Sequence, residues 1–177
     1  MVKKALIALA VVVGAFVVVV ALQPADFRIA RTARIAAPPA DVFAHVNDPQ
    51  KMHAWSPFAK LDPAARNTFE GPRAGVGAAM SWSGNRDVGE GRMTIVESRP
   101  GELVRMRLDM TRPMTATSHA EFTFTPEGAG TTVTWSLTGR NGFLARAFCL
   151  FADMDKMVGG SFEQGLAALK ALTEKAS

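Results

Sequence analysis

Cysteine is nearly absent from this chain: Cys149 stands alone among 177 residues, so no internal disulfide can form. Histidine is almost as scarce. His45, His53 and His119 have no ligand-like spacing to each other or to Cys149, and neither a metal nor any other cofactor is expected. The chain has no G-x-S-x-G, no H-E-x-x-H, no Walker loop and no complete G-x-G-x-x-G, because Gly75 and Gly77 meet Met80, and Gly89 and Gly91 meet Thr94. Charge of one sign is lacking too. The formal +4 includes Lys3 and Lys4, and without that pair 18 basic residues face 16 acidic ones. The basic residues are scattered along the chain, so no nucleic-acid partner is expected.

A long apolar run is present. From Ala5 to Leu22 eighteen residues pass without a charge, preceded by Lys3-Lys4 and closed by Gln23-Pro24. As a helix this run spans about 27 Å, close to the hydrocarbon thickness of a bilayer. Residues 1–25 are therefore expected to be a membrane anchor and short linker. A secretory signal cleaved near Val19-Val20-Ala21 competes with this reading, but such signals carry an apolar core of about 7–15 residues. With the lysines on the cytoplasmic side, the remainder is expected on the opposite face, periplasmic or extracellular, and secreted if the segment is cleaved.

Residues 26–177 are expected to form one domain, large enough to be held by packing alone. Asp26 to Ala36 alternates as a strand, with Phe27, Ile29, Ala33 and Ile35 in one phase. Pro38-Pro39 and Asn47-Asp48-Pro49 each open a short helix, the second ending at Ser56-Pro57. From Thr68 to Arg140 turn signals separate a run of strands. Val104, Met106, Leu108 and Met110 alternate with Arg105, Arg107 and Asp109; Ala120, Phe122 and Phe124 with His119, Glu121 and Thr123; Val133, Trp135 and Leu137 with threonine and serine. One face of this antiparallel sheet should be dry and the other wet. Gly89 and Gly91 suggest a bulge. Last comes a helix whose stripe of Met154, Val158, Phe162, Leu166, Leu169 and Leu172 keeps its phase through Gly159-Gly160. Asp153 and Asp155 lie at its start, where carboxylates favour the helix dipole. The expected fold is α+β: a curved antiparallel sheet of about seven strands wrapped around a long C-terminal helix, with two short helices after the first strand.

Several segments carry a family likeness. Ala36-Ala37-Pro38-Pro39-Ala40-Asp41-Val42-Phe43, Asn47-Asp48-Pro49 and Trp55-Ser56-Pro57 resemble the opening of polyketide cyclase/dehydrase-type members of the START-like (SRPBCC) helix-grip superfamily. Gly75-Val76-Gly77 leading to Trp82, Gly89-Glu90-Gly91 before Met93-Thr94-Ile95, and Thr131-Thr132-Val133-Thr134-Trp135 extend the resemblance over nearly everything after the apolar run. It implies a hydrophobic pocket between sheet and helix, and it does not name a ligand.

Combined with the strand phases, the resemblance makes Trp55, Met80, Trp82, Met93, Met106, Met110, Phe122, Trp135, Met157 and Phe162 the expected lining of that pocket, with Trp55 near its mouth. No catalytic residue is expected, because His119, Glu121, Asp109 and Arg107 fall in the polar phase and His53 is the best remaining candidate. Arg28, Arg31 and Arg34 read as solvated strand charges within reach of lipid headgroups. The function expected first is membrane-tethered binding or transport of a hydrophobic small molecule such as a lipid, isoprenoid or polyketide. A cyclase or dehydratase, and an envelope interaction module with a self-filled core, are the alternatives.

Overall fold

The structure, a computed structural model, describes residues 2–175. Its first element, α1 (Val2–Leu22), is long and apolar enough to cross a membrane, and of its residues only Val20 is buried. Gln23 and Pro24 end it, and the chain enters β1 (Asp26–Ile35). Three short helices follow: α2 (Pro39–Val46), α3 (Pro49–Trp55) and α4 (Pro57–Leu61). Two were expected. The third arises because Ser56-Pro57 both stops α3 and starts α4, proline being pre-organised for a first helical turn. Asp48 caps α3 by accepting from Gln50 N (2.9 Å) and Lys51 N (3.2 Å), and Arg73 Nε donates to its other oxygen at 3.1 Å.

The sheet then builds strand by strand through β2 (Arg66–Glu70), β3 (Ala79–Ser83), β4 (Glu90–Arg99), β5 (Leu103–Arg112), β6 (Ala116–Glu127) and β7 (Gly130–Arg140). All pairings are antiparallel and the order is β1-β7-β6-β5-β4-β3-β2, so β1 closes against the last strand rather than the next one. Gly89, at φ +63°, leads into a register shift at Glu90/Gly91, which is the expected bulge. A short α5 (Phe143–Cys149) precedes the long α6 (Met154–Thr173), whose Asp153 N-cap accepts from Lys156 N at 3.0 Å.

Directly opposed residues of an antiparallel pair share a face, so the registers read as rows across the concave side. After Phe124, Val133 and Ala33 comes the aromatic row Val104, Phe122, Trp135, Arg31; the next is Ile95, Met106, Ala120, Leu137, Ile29. Toward the other end of the strands come Met80, Met93, Leu108, Ser118, Gly139, Phe27, and finally Trp82, Gly91, Met110, Ala116. The convex side carries the polar phase as ion pairs, among them Arg105 with Glu121 (2.7 Å) and Arg107 with Asp109 (2.9 Å).

α6 lies along β1 and is locked there by Arg31. This arginine occupies the apolar phase of β1 and turns its guanidinium onto α6, donating to Asp155 at 2.8 Å and Glu163 at 2.7 Å. A β-carbon at residue 159 would land on that guanidinium, so Gly159 is the hole that receives it. The two carboxylates hold the Arg31 pKa above the usual guanidinium range, and Arg31 in turn holds Asp155 below the usual carboxylate range. Arg31 is thus a structural clamp, 23% exposed, in place of the expected solvated charge.

Candidate functional site

The expected lining residues divide into two groups along the strands. Trp55, Met93, Met106, Phe122, Trp135 and Phe162 are buried, none more than 7% exposed. Phe162 of α6 stacks on Trp135 with ring centroids 4.0 Å apart and planes at 11°, and Phe122 lies on Trp135 at 4.8 Å. Trp55 meets both Trp135 and Phe122 edge-on, and its indole N–H donates to His45 O at 3.0 Å. Trp55 is therefore a core side chain and does not stand at a mouth. At the row of Phe122 and Trp135 the space between sheet and α6 is filled by aromatic rings, where an empty chamber was expected.

The second group keeps part of its surface. Met80, Trp82 and Met110 are half-buried, together with Leu108 and Leu137 on the same face, and Met157 on α6 is 60% exposed. Met80, Trp82, Leu108 and Met110 belong to the end of the strands whose rows also hold Gly91, Ala116, Ser118 and Gly139 together with the buried Met93, and Leu137 lies one row further in. The glycines seat the walls. Phe27 lies against Gly139, and the Trp82 ring against Gly91, with Trp82 Nε1 donating to Val88 O at 3.0 Å.

Two helices flank this end. α4 begins where Pro57 and the Trp135 ring press on Gly165 of α6, whose β-carbon would sit 2.7 Å from Trp135 Cζ3 and 3.0 Å from Pro57 Cδ. It finishes at the β3–β4 turn, where Asp62 accepts from Asn85 N at 2.7 Å and Leu61 O accepts from Asn85 Nδ2 at 3.3 Å. α4 therefore straps the β3 side of the concave face, carrying the exposed Phe58 and Leu61, while the first turns of α6 cover the β1 side with Met154 and Val158. Between them the outer rows present half-buried apolar side chains on the concave face.

Two concavities lie elsewhere on the molecule. One, of about 490 Å³, is formed by Cys149, Leu150, Phe151, Ala152, Asp153 and Met154 between α5 and α6. The other, of about 240 Å³, lies among Pro49, Gln50 and the chain from Phe69 to Arg73.

The chemistry available is sparse. The rows contain one ionisable side chain, Arg31, and it is already committed to Asp155 and Glu163. His53 packs edge-on against Phe69, and His119 is exposed on the convex side. Burial holds the His45 imidazole below its ordinary pKa, assisted by Lys51, and its Nδ1 lacks a hydrogen-bond partner among the described residues. Trp135 Nε1 is likewise buried without a partner. No group of three or more His, Cys, Asp or Glu among the described residues is arranged to hold a metal ion.

This geometry, a curled sheet gripping a C-terminal helix with an apolar concave face, agrees with a family model. The model described as polyketide cyclase/dehydrase and lipid transport matches residues 26–174. The chain belongs to this family. Solved structures share the fold of this polyketide cyclase/dehydrase and lipid transport domain at low identity. A protein from Chromobacterium violaceum is 20% identical with a TM-score of 0.59, over 86% of this chain and 99% of its own. One from Mesorhizobium loti is 17% identical, TM-score 0.60, over 85% and 99%. Another from Rhizobium leguminosarum is 16% identical, TM-score 0.61, over 85% and 95%. A search of curated proteins finds no match. The family and its fold point to hydrophobic-ligand binding in the coarse sense.

Sequence reasoning identified the concave phase but missed Leu108 and Leu137 as partly open members, and Phe58 and Leu61 on α4. Their signal was present in part: Leu108 stands in the same alternation as Met106 and Met110. Nothing in the local pattern tells which members of one phase a helix will cover.

Proposed function

We propose that this domain binds a hydrophobic small molecule in an open apolar bowl, with its walls supplied by Met80, Trp82, Leu108 and Met110 from the sheet and by Phe58, Leu61 and Met157 from the flanking helices. The observation that carries this reading is that Met80, Trp82, Leu108 and Met110 stay half-buried on the same sheet face whose Phe122 and Trp135 are tightly stacked against Phe162, in rows that also hold Gly91, Ala116, Ser118 and Gly139. Large apolar side chains left half-exposed together on a concave surface mark a site where something else completes the burial. The stack of Phe122, Trp135 and Phe162 would then be the rigid floor on which the bowl is built.

Transport or storage fits better than turnover, since no free acid or base lines the rows to move a proton. α1 would tether the domain to a membrane. Lys3 and Lys4 favour its N-terminus on the cytoplasmic side, which puts the domain on the opposite face. A lipid, an isoprenoid or a polyketide-like molecule matches the lining equally well, because the bowl offers dispersion contacts and adaptable methionines in place of directed polar groups.

Titration of the delipidated full chain with a fluorescent fatty acid tests this reading. Saturable binding of one molecule per chain, displaced by extracted membrane lipid, is expected. Absence of saturable binding to any of these would overturn it.

A further inference from the structure

The segment from Phe143 to Phe151 is apolar on the outside. Phe143, Leu144, Phe148 and Phe151 are 40%, 71%, 54% and 82% exposed, and α5 has no buried residue. Between Asn141 and Ala152 the one charged side chain is Arg146. In water such a concentration of exposed apolar surface is unfavourable, and the packing around it indicates what covers it. Phe151 stacks on Phe16 of α1 with centroids 6.5 Å apart. Phe16 lies six residues before the end of α1, so it sits about 9 Å inside the apolar segment by helical rise. Arg146 Nη1 donates to Ala21 O (3.1 Å) and Gln23 O (3.4 Å), tying α5 to the free carbonyls at the end of α1.

We propose that α5 and the turn after it form a membrane-inserted element, with the lipid bilayer itself as the occupant of this surface. The inference rests on the reading of α1 as a membrane span and extends it. Where α1 crosses, its contact with Phe16 carries Phe151 below the level of the headgroups, and the neighbouring apolar side chains enter the interfacial layer with it. Arg146 reaches back along the α1 terminus toward the headgroups, as a long basic side chain does at such a boundary.

The consequence concerns the route of the ligand. β1 begins and β7 ends at the open end of the rows, where Asp26 pairs with Arg140 and Phe27 with Gly139. α5 leaves the sheet at that end. The bowl therefore opens toward the bilayer, and a lipid-soluble molecule passes into it from the membrane without crossing bulk water.

The test uses the full chain in vesicles of phosphatidylcholine and phosphatidylglycerol. With Cys149→Ser as background, a nitroxide is attached in turn through Leu144→Cys, Phe151→Cys, Val12→Cys in the middle of α1, and Val96→Cys, an exposed position on β4. The expected result is that labels at 144 and 151 lose collisions with an aqueous nickel chelate and gain them with oxygen, as at 12 and unlike 96. If 12 is shielded while 144 and 151 behave like 96, the inserted element is overturned and the tether stands. If 12 is also aqueous, both fall. Spin–spin broadening at 144 would show a second copy covering the patch and would equally overturn the proposal.

Discussion

Trp135→Ala should lower the stability of the domain by about 3–5 kcal/mol, the usual cost of truncating a buried large aromatic side chain. The ring is 3% exposed and touches Phe122, Phe162, Trp55 and Phe58, so alanine would leave a cavity bordered by three secondary-structure layers that cannot all move inward. For a domain of this size the loss corresponds to a fall in the melting midpoint of roughly 6–20 °C. Trp135→Phe should cost distinctly less. It keeps the stacking with Phe162 and removes an indole N–H that has no partner, so no hydrogen bond is lost. Thermal unfolding of the two variants side by side checks both statements. Equal losses would mean that the indole edge, and not the stack, holds the aromatic row together.

Leu108→Arg should act on the ligand while sparing the fold. Leu108 sits in the middle of the outer rows, paired with Met93 on one side and Ser118 on the other, and is only half-buried. An arginine there can bring its guanidinium out to water along the open end, so the melting midpoint should move little. The bowl, however, would gain a charge and lose its volume. Binding of an apolar ligand should weaken at least about tenfold, equivalent to 1.4 kcal/mol, measured with the same fluorescent fatty acid. Full affinity in the variant would place the ligand elsewhere on the molecule.

These two variants separate what could be read from the chain and what could not. The concave face was legible because a sheet with one dry side prints a two-residue alternation, and Val104, Met106, Leu108 and Met110 carry it without interruption. α6 was legible for the same kind of reason at helical spacing. How deeply each member of a phase is covered depends on where α4 and α6 cross the sheet, which is set by contacts more than a hundred residues apart, such as Arg31 with Asp155. For this reason Trp55, expected near the mouth of the pocket, is buried in the core, while Trp82 keeps part of its surface.

Arg31 shows a second limit. Its place in the apolar phase, between Ile29 and Ala33, was a visible irregularity, and Gly159 was visible as a break in helix propensity. Only the fold brings the two together, so that the glycine receives the arginine. α5 escaped the sequence reading altogether. Its apolar residues bury nothing in the domain, and a seven-residue helix has too few turns to show a stripe.

The central claim is that the outer rows of the sheet receive a hydrophobic molecule. Native mass spectrometry of the full chain, released in mild detergent from the membrane in which it was made, tests it most directly. A bound small molecule on the wild type that is lost from Leu108→Arg is the predicted result; a wild-type chain carrying no adduct, or one retained undiminished by the variant, would contradict it.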